Sequence, residues 1–415
     1  MTNLAADPGA GAAASVAAVR GDFPILETTV RGQPLVYLDN AATTQKPRAV
    51  IEAIDEYYRL HNTNVHRAAH ALADIATQSF EGARSTVQRF VNAASSAEVI
   101  FTRGTTEAIN LVAGVFTGRL REGDEILISR LEHHANIVPW QMLAARSGAR
   151  LRAFDITDEG DLDLDSFRAA LSARTRLVAV GHVSNALGTI NPLREIIDLA
   201  HAADALVLVD GAQAVAHLPV DVQTLGCDFY AFSGHKLFGP TGIGALYGRE
   251  ALLDALPPWQ GGGEMIEHVS IERSTYNSLP YKFEAGTPNI AGAIGLGAAI
   301  RYLEALPRQA LQDAEDALVT STLHALEQLP GVRLVGRPAR RLSIISLVVE
   351  GSHPNDIGTL LDQQGIAVRT GHHCAMPVME RLGVPGTVRI AYSLYNDEND
   401  RDRLLAGLDK ALSFL

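Results

Sequence analysis

The chain has 415 residues, a length that fits two or three domains with a large buried core. Hydrophobic residues make up 47% and charged residues 20%, which excludes a disordered or fibrous protein, and two cysteines exclude a disulfide framework. The net charge of −12, without a block of Lys or Arg, argues against a nucleic-acid partner or an anionic membrane surface.

The first twenty residues form an Ala- and Gly-rich segment that has no basic residue before Arg20. This composition is typical neither of a secretory signal nor of an Arg-rich transit peptide. No stretch of the sequence reaches the ~18 apolar residues of a membrane span. Because the two cysteines also suit a reducing compartment, the sequence predicts a cytoplasmic protein with a weakly docked N-terminal tail.

From about residue 98, short apolar runs rich in β-branched residues alternate with stretches of helical length. This alternation indicates an α/β protein with a mostly parallel sheet that helices cover on both faces. Ligands bind beyond the carboxyl ends of such strands, so we expect the chemistry there. The predicted strands are 99–101, 126–128, 151–154, 177–180, 206–209, 229–232 and 243–247.

The alternation ends in a Pro- and Gly-rich loop at residues 257–265, and a different pattern follows. It predicts a smaller α+β unit, with helices at 291–306 and 309–328, a strand at 343–349, a helix at 354–364, strands at 366–369 and 388–391, and a closing helix from Asp397. We therefore expect three parts: an N-terminal segment that packs on the smaller unit, a large domain and a small C-terminal domain. Their boundaries are 1–35, 36–290 and 291–415.

Lys236 follows the predicted strand 229–232, within the sequence SGHKLFGPTGIG. Only four of the 35 Lys and Arg residues are lysines. In a chain that uses arginine for nearly all of its cations, a lysine at a strand end is less well explained as an ordinary surface cation. An amine can lose its proton and form an imine, whereas a guanidinium cannot. A functional role is therefore favoured over a surface role for Lys236.

Asp210 ends an apolar strand in VLVDGAQA, where an ionised carboxylate is costly unless a cation or strong donors meet it. One interpretation is a cap for the following helix. The favoured interpretation pairs the carboxylate with a protonated pyridine nitrogen, the partner that lets pyridoxal phosphate (PLP) act as an electron sink. Gln213, three residues later, would then hydrogen-bond the ring oxygen of this cofactor.

A phosphate site should accompany such a cofactor. Thr105 and Thr106 follow the strand 99–101 and open a helical pattern, so hydroxyls, free N–H groups and the positive helix end converge there. Ordinary helix capping is the alternative interpretation of this segment. Ser233 and His235, beside the favoured lysine, would add two phosphate donors.

Two clusters that contain histidine could bind a metal. Metal binding is the less favoured interpretation of both. The clusters are Glu132, His133 and His134, and His372, His373 and Cys374. Neither has the HExxH spacing or the paired Cys-x-x-Cys of a zinc site. A His at a strand end can instead stack on a flat aromatic cofactor and relay a proton. We therefore expect no metal.

Cys374 lies in the loop RTGHHCAMP, with two histidines before it. Loop cysteines near His and Arg tend toward the nucleophilic thiolate, so Cys374 is the predicted nucleophile. Cys227, beside an apolar strand, is better interpreted as a small buried hydrophobe. Arg369 and Arg389 bracket the loop, and either can offer a planar fork to a substrate carboxylate.

Seven motifs in this order resemble those of the group II, SufS-type cysteine desulfurases, which are PLP enzymes of fold type I in the aminotransferase class V family. The motifs are GTTEAINLVA, EHHANIVPWQ, HVSNALG, VDGAQA, DFYAFSGHKLFGPTGIG, FEAGTPN and RTGHHCA, and the resemblance runs from about residue 20 to the C-terminus. It implies a large PLP domain with a mostly parallel seven-stranded sheet, a small α+β C-terminal domain, and a homodimer with active sites at the subunit interface. The implied reaction converts L-cysteine to L-alanine and an enzyme persulfide, ultimately for iron–sulfur cluster assembly.

The resemblance also implies a role for each matching residue. Lys236 would bind the cofactor covalently and act as acid and base, while His133 would stack on the ring. Asn185 and Arg389 would hold the substrate carboxylate, and Cys374 would carry the persulfide. The implied cofactor contacts are Thr105, Thr106, Asp210, Gln213, Ser233, His235 and, toward the phosphate of the other subunit, Thr287.

One position departs from part of the family. Asn355, in HPND, stands where relatives with a zinc-bearing SufU partner carry a His. This difference favours a SufE-type acceptor over a SufU-type one. The compact segment around Cys374 also favours a docked acceptor protein over direct transfer to a scaffold.

Two alternatives remain open from the sequence. Another PLP reaction on the same fold, such as selenocysteine lyase or aminotransferase chemistry, would share every feature except the need for Cys374. A catalytically silent scaffold would not require Lys236, Asp210 and Cys374 together.

Overall fold

The structure is a computed structural model that describes residues 16–67 and 69–414. Residues 1–15 of the predicted tail lie outside this part of the chain. The described helices are α1 (Arg48–Glu56), α2 (Ala71–Phe90), α3 (Thr105–Val115), α4 (Val138–Ser147), α5 (Leu164–Ala170), α6 (Leu193–Ala202), α7 (Val222–Leu225), α8 (Glu250–Asp254), α9 (Ile290–Glu304), α10 (Arg308–Leu326), α11 (Pro354–Asp362), α12 (Met376–Arg381) and α13 (Glu398–Leu412).

The described strands are also given in chain order. They are β1 (Thr29–Val30), β2 (Gln33–Pro34), β3 (Val36–Tyr37), β4 (Val99–Thr102), β5 (Glu125–Ser129), β6 (Arg150–Phe154), β7 (Thr175–Gly181), β8 (Leu206–Asp210), β9 (Phe229–Ser233), β10 (Gly244–Gly248), β11 (Ile266–Val269), β12 (Ser274–Tyr276), β13 (Val332–Val335), β14 (Ile344–Val349), β15 (Ile366–Ala367), β16 (Arg369–Gly371) and β17 (Thr387–Ala391).

Seven strands form the large sheet, in the order β4-β10-β9-β8-β7-β5-β6. The pairs among β5 to β9 are parallel, whereas β10 is antiparallel to both of its neighbours. The link from β9 to β10, residues 234–243, is too short for the crossover that a parallel pair needs. The predicted mostly parallel, seven-stranded sheet is confirmed.

Both faces of this sheet are covered, as the continuous apolar strands predict. Along β7, Leu177 and Ala179 pack with side chains of α3 and α4. Val178 and Val180 point to the other face and pack with α6 and α9. Because successive side chains alternate between the two faces, a strand that is apolar at every position must be covered on both.

The C-terminal unit holds a four-stranded antiparallel sheet, in the order β13-β14-β17-β16. The predicted strand at 366–369 is divided in two, because β15 pairs in parallel with β3 while β16 pairs with β17. Strand β13 was not predicted, because it lies half exposed at the sheet edge and lacks a long apolar run. The exposed hairpin β11–β12 was not predicted either.

The described part of the N-terminal segment contacts the C-terminal unit. Arg20 pairs with Asp400, and Arg31 with Asp362, each at 2.8 Å. Directly after this segment, the Val36 N–H donates to the carbonyl oxygen of Gly365 at 2.9 Å. These contacts support the expectation that this segment packs on the smaller unit.

Helix α9 packs against α1 and α2 of the large unit. The approach of α9 to α2 is close, since a Cβ on Gly297 would lie 3.0 Å from the Cβ of Ala83. Because these contacts place α9 with the large unit, they favour a domain boundary after this helix. The division into 36–290 and 291–415 stays a prediction.

Within the described ranges, no single helix has both the length and the apolar character needed to cross a membrane. Helices α9 and α10 meet that test only when taken together, across a bend of 83°.

Candidate active site

The carboxyl ends of β5, β7, β8 and β9 lie at one edge of the large sheet, and the loops that follow them meet the C-terminal unit. A cavity of about 200 Å³ lies at this junction. Its lining includes twelve of the predicted site residues, namely Thr105, Thr106, His133, Asn185, Asp210, Gln213, Ser233, His235, Lys236, Arg369, Cys374 and Arg389. The fold therefore brings together residues that are distant in sequence, as expected for parallel strands.

Lys236 ends the short 3-10 turn that follows β9. The turn is tightly packed, since a Cβ on Gly234 would lie 3.0 Å from the Ile243 side chain. Burial lowers the pKa of Lys236 to about 8, against the opposing effect of the Asp210 carboxylate. Its amine can therefore lose a proton near neutral pH, unlike that of a surface lysine.

Asp210 is buried at the end of β8, with 8% of its surface exposed. Its Oδ1 accepts a hydrogen bond of 2.9 Å from the Ala212 N–H, so the local turn uses one of its oxygens. Burial raises the pKa of the carboxyl group, and the Lys236 amine opposes that rise. Gln213 is held nearby by a 2.7 Å bond from its side-chain amide to the carbonyl oxygen of Ala41.

An anion cradle forms where α3 begins. The N-cap is Gly104, at φ 148°, which has no side chain to cap the first turn. The Glu107 carboxylate accepts a hydrogen bond from the Arg103 N–H, a contact that ordinary helix capping also makes. The Ser233 Oγ lies 2.9 Å from the Thr105 N–H and 2.8 Å from the Thr105 Oγ1. Hydroxyls, free N–H groups and the positive end of an eleven-residue helix therefore converge, as a phosphate requires.

His133 sits in the loop after β5, where its Nδ1 accepts a 3.0 Å hydrogen bond from the Ala135 N–H. Burial, followed by the Lys236 charge, lowers the pKa of His133 to about 3, so the ring is neutral. Glu132 anchors this loop through a 2.5 Å bond from Ser129 and a 2.6 Å bond from Asn136. In the part of the chain that the structure describes, no three His, Cys, Asp or Glu side chains are placed to bind a metal.

Cys374 is partly exposed in a loop with an unusual backbone, since His373 and Cys374 have φ of 53° and 55°. The Asn185 side-chain amide donates to the His373 carbonyl oxygen at 2.6 Å. The Cys374 N–H donates to the His372 Nδ1 at 3.0 Å. Cys227 lies elsewhere and is buried, which raises the pKa of its thiol to about 12.

Arg389 is almost completely buried and is held on two sides. Its Nη1 donates to the Asn185 carbonyl oxygen at 2.9 Å, and its Nη2 pairs with the Asp39 carboxylate at 3.0 Å. Its Nε is buried without a partner among the described residues. Sequence reasoning missed Asp39, although it follows an apolar run just as Asp210 does.

Thr287 is the predicted site residue that lies apart from the others. It lines a separate cavity of about 390 Å³ with Arg103 and Trp259. Its implied role toward another subunit stays a prediction.

Lys46 was also missed, because a lysine in a loop is usually a surface cation. Its Nζ donates to the carbonyl oxygens of His235, at 3.0 Å, and Thr44, and to the Thr43 Oγ1 at 3.3 Å. Thr43 and Thr44 bond to the same His235 carbonyl oxygen. This segment therefore clamps the turn that carries Lys236.

The polar groups of the cavity fit PLP. The half-buried Lys236 amine, the buried Asp210 carboxylate and the N-terminus of α3 line one space. These groups match the carbon that forms the imine, the pyridine nitrogen and the phosphate of the cofactor. The Arg389 Nε and the His373 Nδ1 are buried and unpartnered among the described residues. The Arg389 Nε–H is thus a donor left for a bound acid, whereas the neutral His373 ring donates through its Nε2 to Thr387 and leaves its Nδ1 as an acceptor.

Comparison with known proteins agrees with this geometry. The aminotransferase class-V family profile matches residues 36–404. A probable cysteine desulfurase of Vibrio cholerae is 51% identical over 399 residues, which cover 96% of this chain and 98% of the relative. The crystal structure of the cysteine desulfurase CsdA (S-sulfonic acid) from Escherichia coli is similar, with a TM-score of 0.90 at 43% identity, covering 96% of this chain and 99% of that one.

Some relatives are longer than this chain. A cysteine desulfurase of Synechococcus elongatus is 53% identical over 391 residues, which cover 94% of this chain but 62% of that protein. The Vibrio cholerae relative is matched along nearly its whole length, and the family profile covers most of the chain. The chain therefore belongs to the aminotransferase class-V family and, within it, to the PLP-dependent cysteine desulfurases.

Proposed function

We propose that this cysteine desulfurase takes the sulfur of L-cysteine onto Cys374 and leaves L-alanine. The observation that carries the proposal is that Lys236, Cys374 and Arg389 line one cavity. They supply a base, a sulfur acceptor and a carboxylate-binding group. An aminotransferase or a scaffold protein would not require Cys374.

Substrate binding is assigned to Arg389 and Asn185. The buried Arg389 Nε has no partner among the described residues, so it is free to donate to the substrate carboxylate. Asn185 fixes Arg389 through its carbonyl oxygen at 2.9 Å and fixes the cysteine loop through its side chain. The substrate is thereby oriented with its side chain toward Cys374.

Proton transfer is assigned to Lys236. PLP, held by Lys236, Asp210 and the cradle of Thr105 and Ser233, supplies an electron sink for the substrate Cα. With a pKa of about 8, the Lys236 amine can take the Cα proton and return a proton later. The neutral His133 ring can stack on the cofactor, but its low pKa leaves little imidazolium to donate a proton.

Sulfur transfer is assigned to Cys374. Its thiolate attacks the substrate sulfur, an S–S bond forms, and the Cβ–S bond breaks with its electron pair going to Cβ. Protonation of Cβ gives L-alanine, while the enzyme keeps the sulfur as a persulfide. Thiol plus cysteine yields persulfide plus alanine, so no outside oxidant or reductant is needed.

The direct test measures alanine formed from L-cysteine by the holoenzyme, with the enzyme-bound persulfide measured in parallel. Equal amounts of alanine and transferable sulfur are expected. Alanine formation without any sulfur on the protein would contradict the proposed role of Cys374.

We further propose a SufE-type acceptor and an eventual use in iron–sulfur cluster assembly. Asn355 accepts a 2.6 Å hydrogen bond from Thr370, which lies in β16 just before the cysteine loop. An amide in this position is a poor zinc ligand beside His or Cys. Stronger stimulation of alanine production by a SufE-type protein than by a zinc-loaded SufU-type protein is expected, and the reverse order would contradict the assignment.

A homodimer and a cytoplasmic location complete the proposal. Thr287 lies outside the cavity of its own chain, which agrees with a role toward a second copy. Exposed apolar side chains near α1 and α2 offer a surface for that copy, namely Ile51, Tyr58, Leu60, Leu72 and Ile75. A free thiol at Cys374 suits a reducing compartment.

A further inference from the structure

Lysine is rare in this chain, and three of its four lysines are at least partly enclosed by protein. Lys236 lines the cavity, Lys282 is 8% exposed and Lys46 is half-buried. All four lie in the described part of the chain, and Lys410 alone is exposed. Lys46 therefore differs from an ordinary surface cation, and its position needs another explanation.

Three oxygen atoms surround the Lys46 ammonium group, which has three N–H donors. Its Nζ donates to the carbonyl oxygens of Thr44 and His235, the latter at 3.0 Å, and to the Thr43 Oγ1 at 3.3 Å. All three acceptors are neutral. Burial lowers the pKa of Lys46 to about 8, and no carboxylate among the described residues opposes this shift. Because a desolvated cation without a carboxylate is costly, the charged group must contribute through what it holds.

The group that Lys46 holds is the peptide bond directly before Lys236. Besides the bond from Lys46, the His235 carbonyl oxygen accepts bonds of 3.0 Å from the Thr43 Oγ1 and from the Thr44 N–H. Of these donors only the ammonium group is charged, and charged donors form roughly twice as strong hydrogen bonds as neutral ones. Lys46 is therefore the strongest donor to this carbonyl oxygen.

The backbone after Lys236 is held by the same segment. The Phe238 N–H donates to the Thr44 Oγ1 at 2.9 Å, and Phe238 has a left-handed φ of 57°. A bulky residue adopts this conformation only where its surroundings hold it. The turn that carries Lys236 is thus fixed from outside at both of its ends.

The segment that holds this turn is itself anchored to the C-terminal unit. The Gln45 N–H donates to the hydroxyl of the fully buried Tyr395 at 3.0 Å. The Asn40 side-chain amide donates to the Ala391 carbonyl oxygen at 2.7 Å. Lys46 therefore extends from a fixed base and not from a free loop.

We propose that Lys46 is a positioning residue that keeps the Lys236 amine where it can hold the cofactor, and that it acts through the His235 carbonyl oxygen. The inference deepens the proposed function and rests on it, because it takes Lys236 as the lysine that binds PLP. Lys46 contacts the backbone of the turn and is not a catalytic residue.

The test measures how fast the holoenzyme releases PLP, with a phosphatase present to consume the free cofactor. Lys46→Met removes the charge and the three N–H donors and keeps the length of the side chain. The matched control is Lys282→Met, since the Lys282 Nζ also donates to backbone carbonyl oxygens, at 3.0 and 2.9 Å, but lies outside the cavity. Release should be at least about tenfold faster in Lys46→Met and less than about threefold faster in Lys282→Met.

A second readout separates positioning from a general loss of stability. Visible circular dichroism, expressed per mole of bound PLP, reports how firmly the bound cofactor is oriented. This signal should weaken in Lys46→Met and keep its native intensity in Lys282→Met. A native signal in Lys46→Met would overturn the proposal.

If Lys46→Met does not fold, Thr43→Val takes its place. It removes the hydroxyl that bonds both the Lys46 Nζ and the His235 carbonyl oxygen, so it should speed PLP release at least about threefold. A native release rate in the variant that is used would overturn the proposal, as would equal acceleration in Lys282→Met. Release is measured without L-cysteine, so a holoenzyme that makes no alanine would contradict the proposed function and leave this test intact.

Discussion

The backbone N–H of His134 donates a hydrogen bond of 2.7 Å to the carbonyl oxygen of Cys374. It joins the loop after β5 to the cysteine loop, at a place where Cys374 has a left-handed φ of 55°. Such a conformation costs a non-glycine residue about 1–2 kcal/mol, so outside contacts must hold it. The direction of the thiol is therefore set jointly by the two halves of the chain.

Replacement of Cys374 by Ser should leave cofactor binding intact and abolish the protein persulfide, because the thiol acts only after the substrate has bound. Mass spectrometry after incubation with L-cysteine would detect the added sulfur atom in the native protein and not in the variant. The matched control is Cys227→Ser, since this thiol is buried and its pKa is raised to about 12. A persulfide that persists in Cys374→Ser would show that another group carries the sulfur.

Replacement of Lys236 by Ala should remove the covalent link to the cofactor, because Lys236 is the lysine that shares the cavity with Asp210. Borohydride reduction and peptide mapping would locate the cofactor on Lys236 in the native protein and on no peptide of the variant. Lys410→Ala is the control, since Lys410 is exposed on α13. A cofactor label on Lys46, Lys282 or Lys410 in the native protein would contradict the assignment.

Replacement of Arg389 by Lys should lower kcat/KM for L-cysteine by at least about tenfold, mainly through KM. Three nitrogens of Arg389 point in fixed directions, two of them toward Asn185 and Asp39, and a lysine amine cannot reproduce this geometry. Steady-state alanine production is the measurement. Arg194→Lys, a change on the surface of α6, should leave KM unchanged, and an equal effect of the two changes would rule out a specific role for Arg389.

Glu132 should make the protein less stable as the pH rises. Burial raises the pKa of this carboxyl group from 4.5 to about 7, so between these values the folded state binds a proton that the unfolded state has lost. The stabilisation is complete below pH 4.5 and is lost as the pH approaches 7. At about 1.4 kcal/mol per pH unit, the loss is about 3 kcal/mol.

Urea unfolding of the native protein and of Glu132→Gln, at about pH 5 and about pH 8, tests this expectation. The native protein should lose more unfolding free energy between the two pH values than the variant, which cannot ionise at that position. The same loss in both proteins would show that Glu132 does not titrate in this range.

The sequence was sufficient for features that local patterns determine. Each of the seven apolar runs became a strand of the large sheet, because most of its strands are covered on both faces and need apolar residues at successive positions. Polar residues directly after such strands, such as Asp210 and Lys236, lie in the cavity for the same reason.

Contacts between distant segments were not predictable from those patterns. Asp39 and Arg389 are 350 residues apart, and Lys46 and the His235 carbonyl oxygen are 189 residues apart. The division of 366–369 into β15 and β16 likewise depends on β3, which no local signal connects to it. These features depend on how the two units dock.

The pairing of β3 with β15 also determines when the protein can finish folding. Val36 pairs with Ile366, about 330 residues later in the chain. At about 5 to 20 residues per second, the N-terminal strand waits roughly 15 to 65 s on the ribosome for its partner. A chain truncated before β15 would keep every strand of the large sheet, yet it would lack Arg369, Cys374 and Arg389.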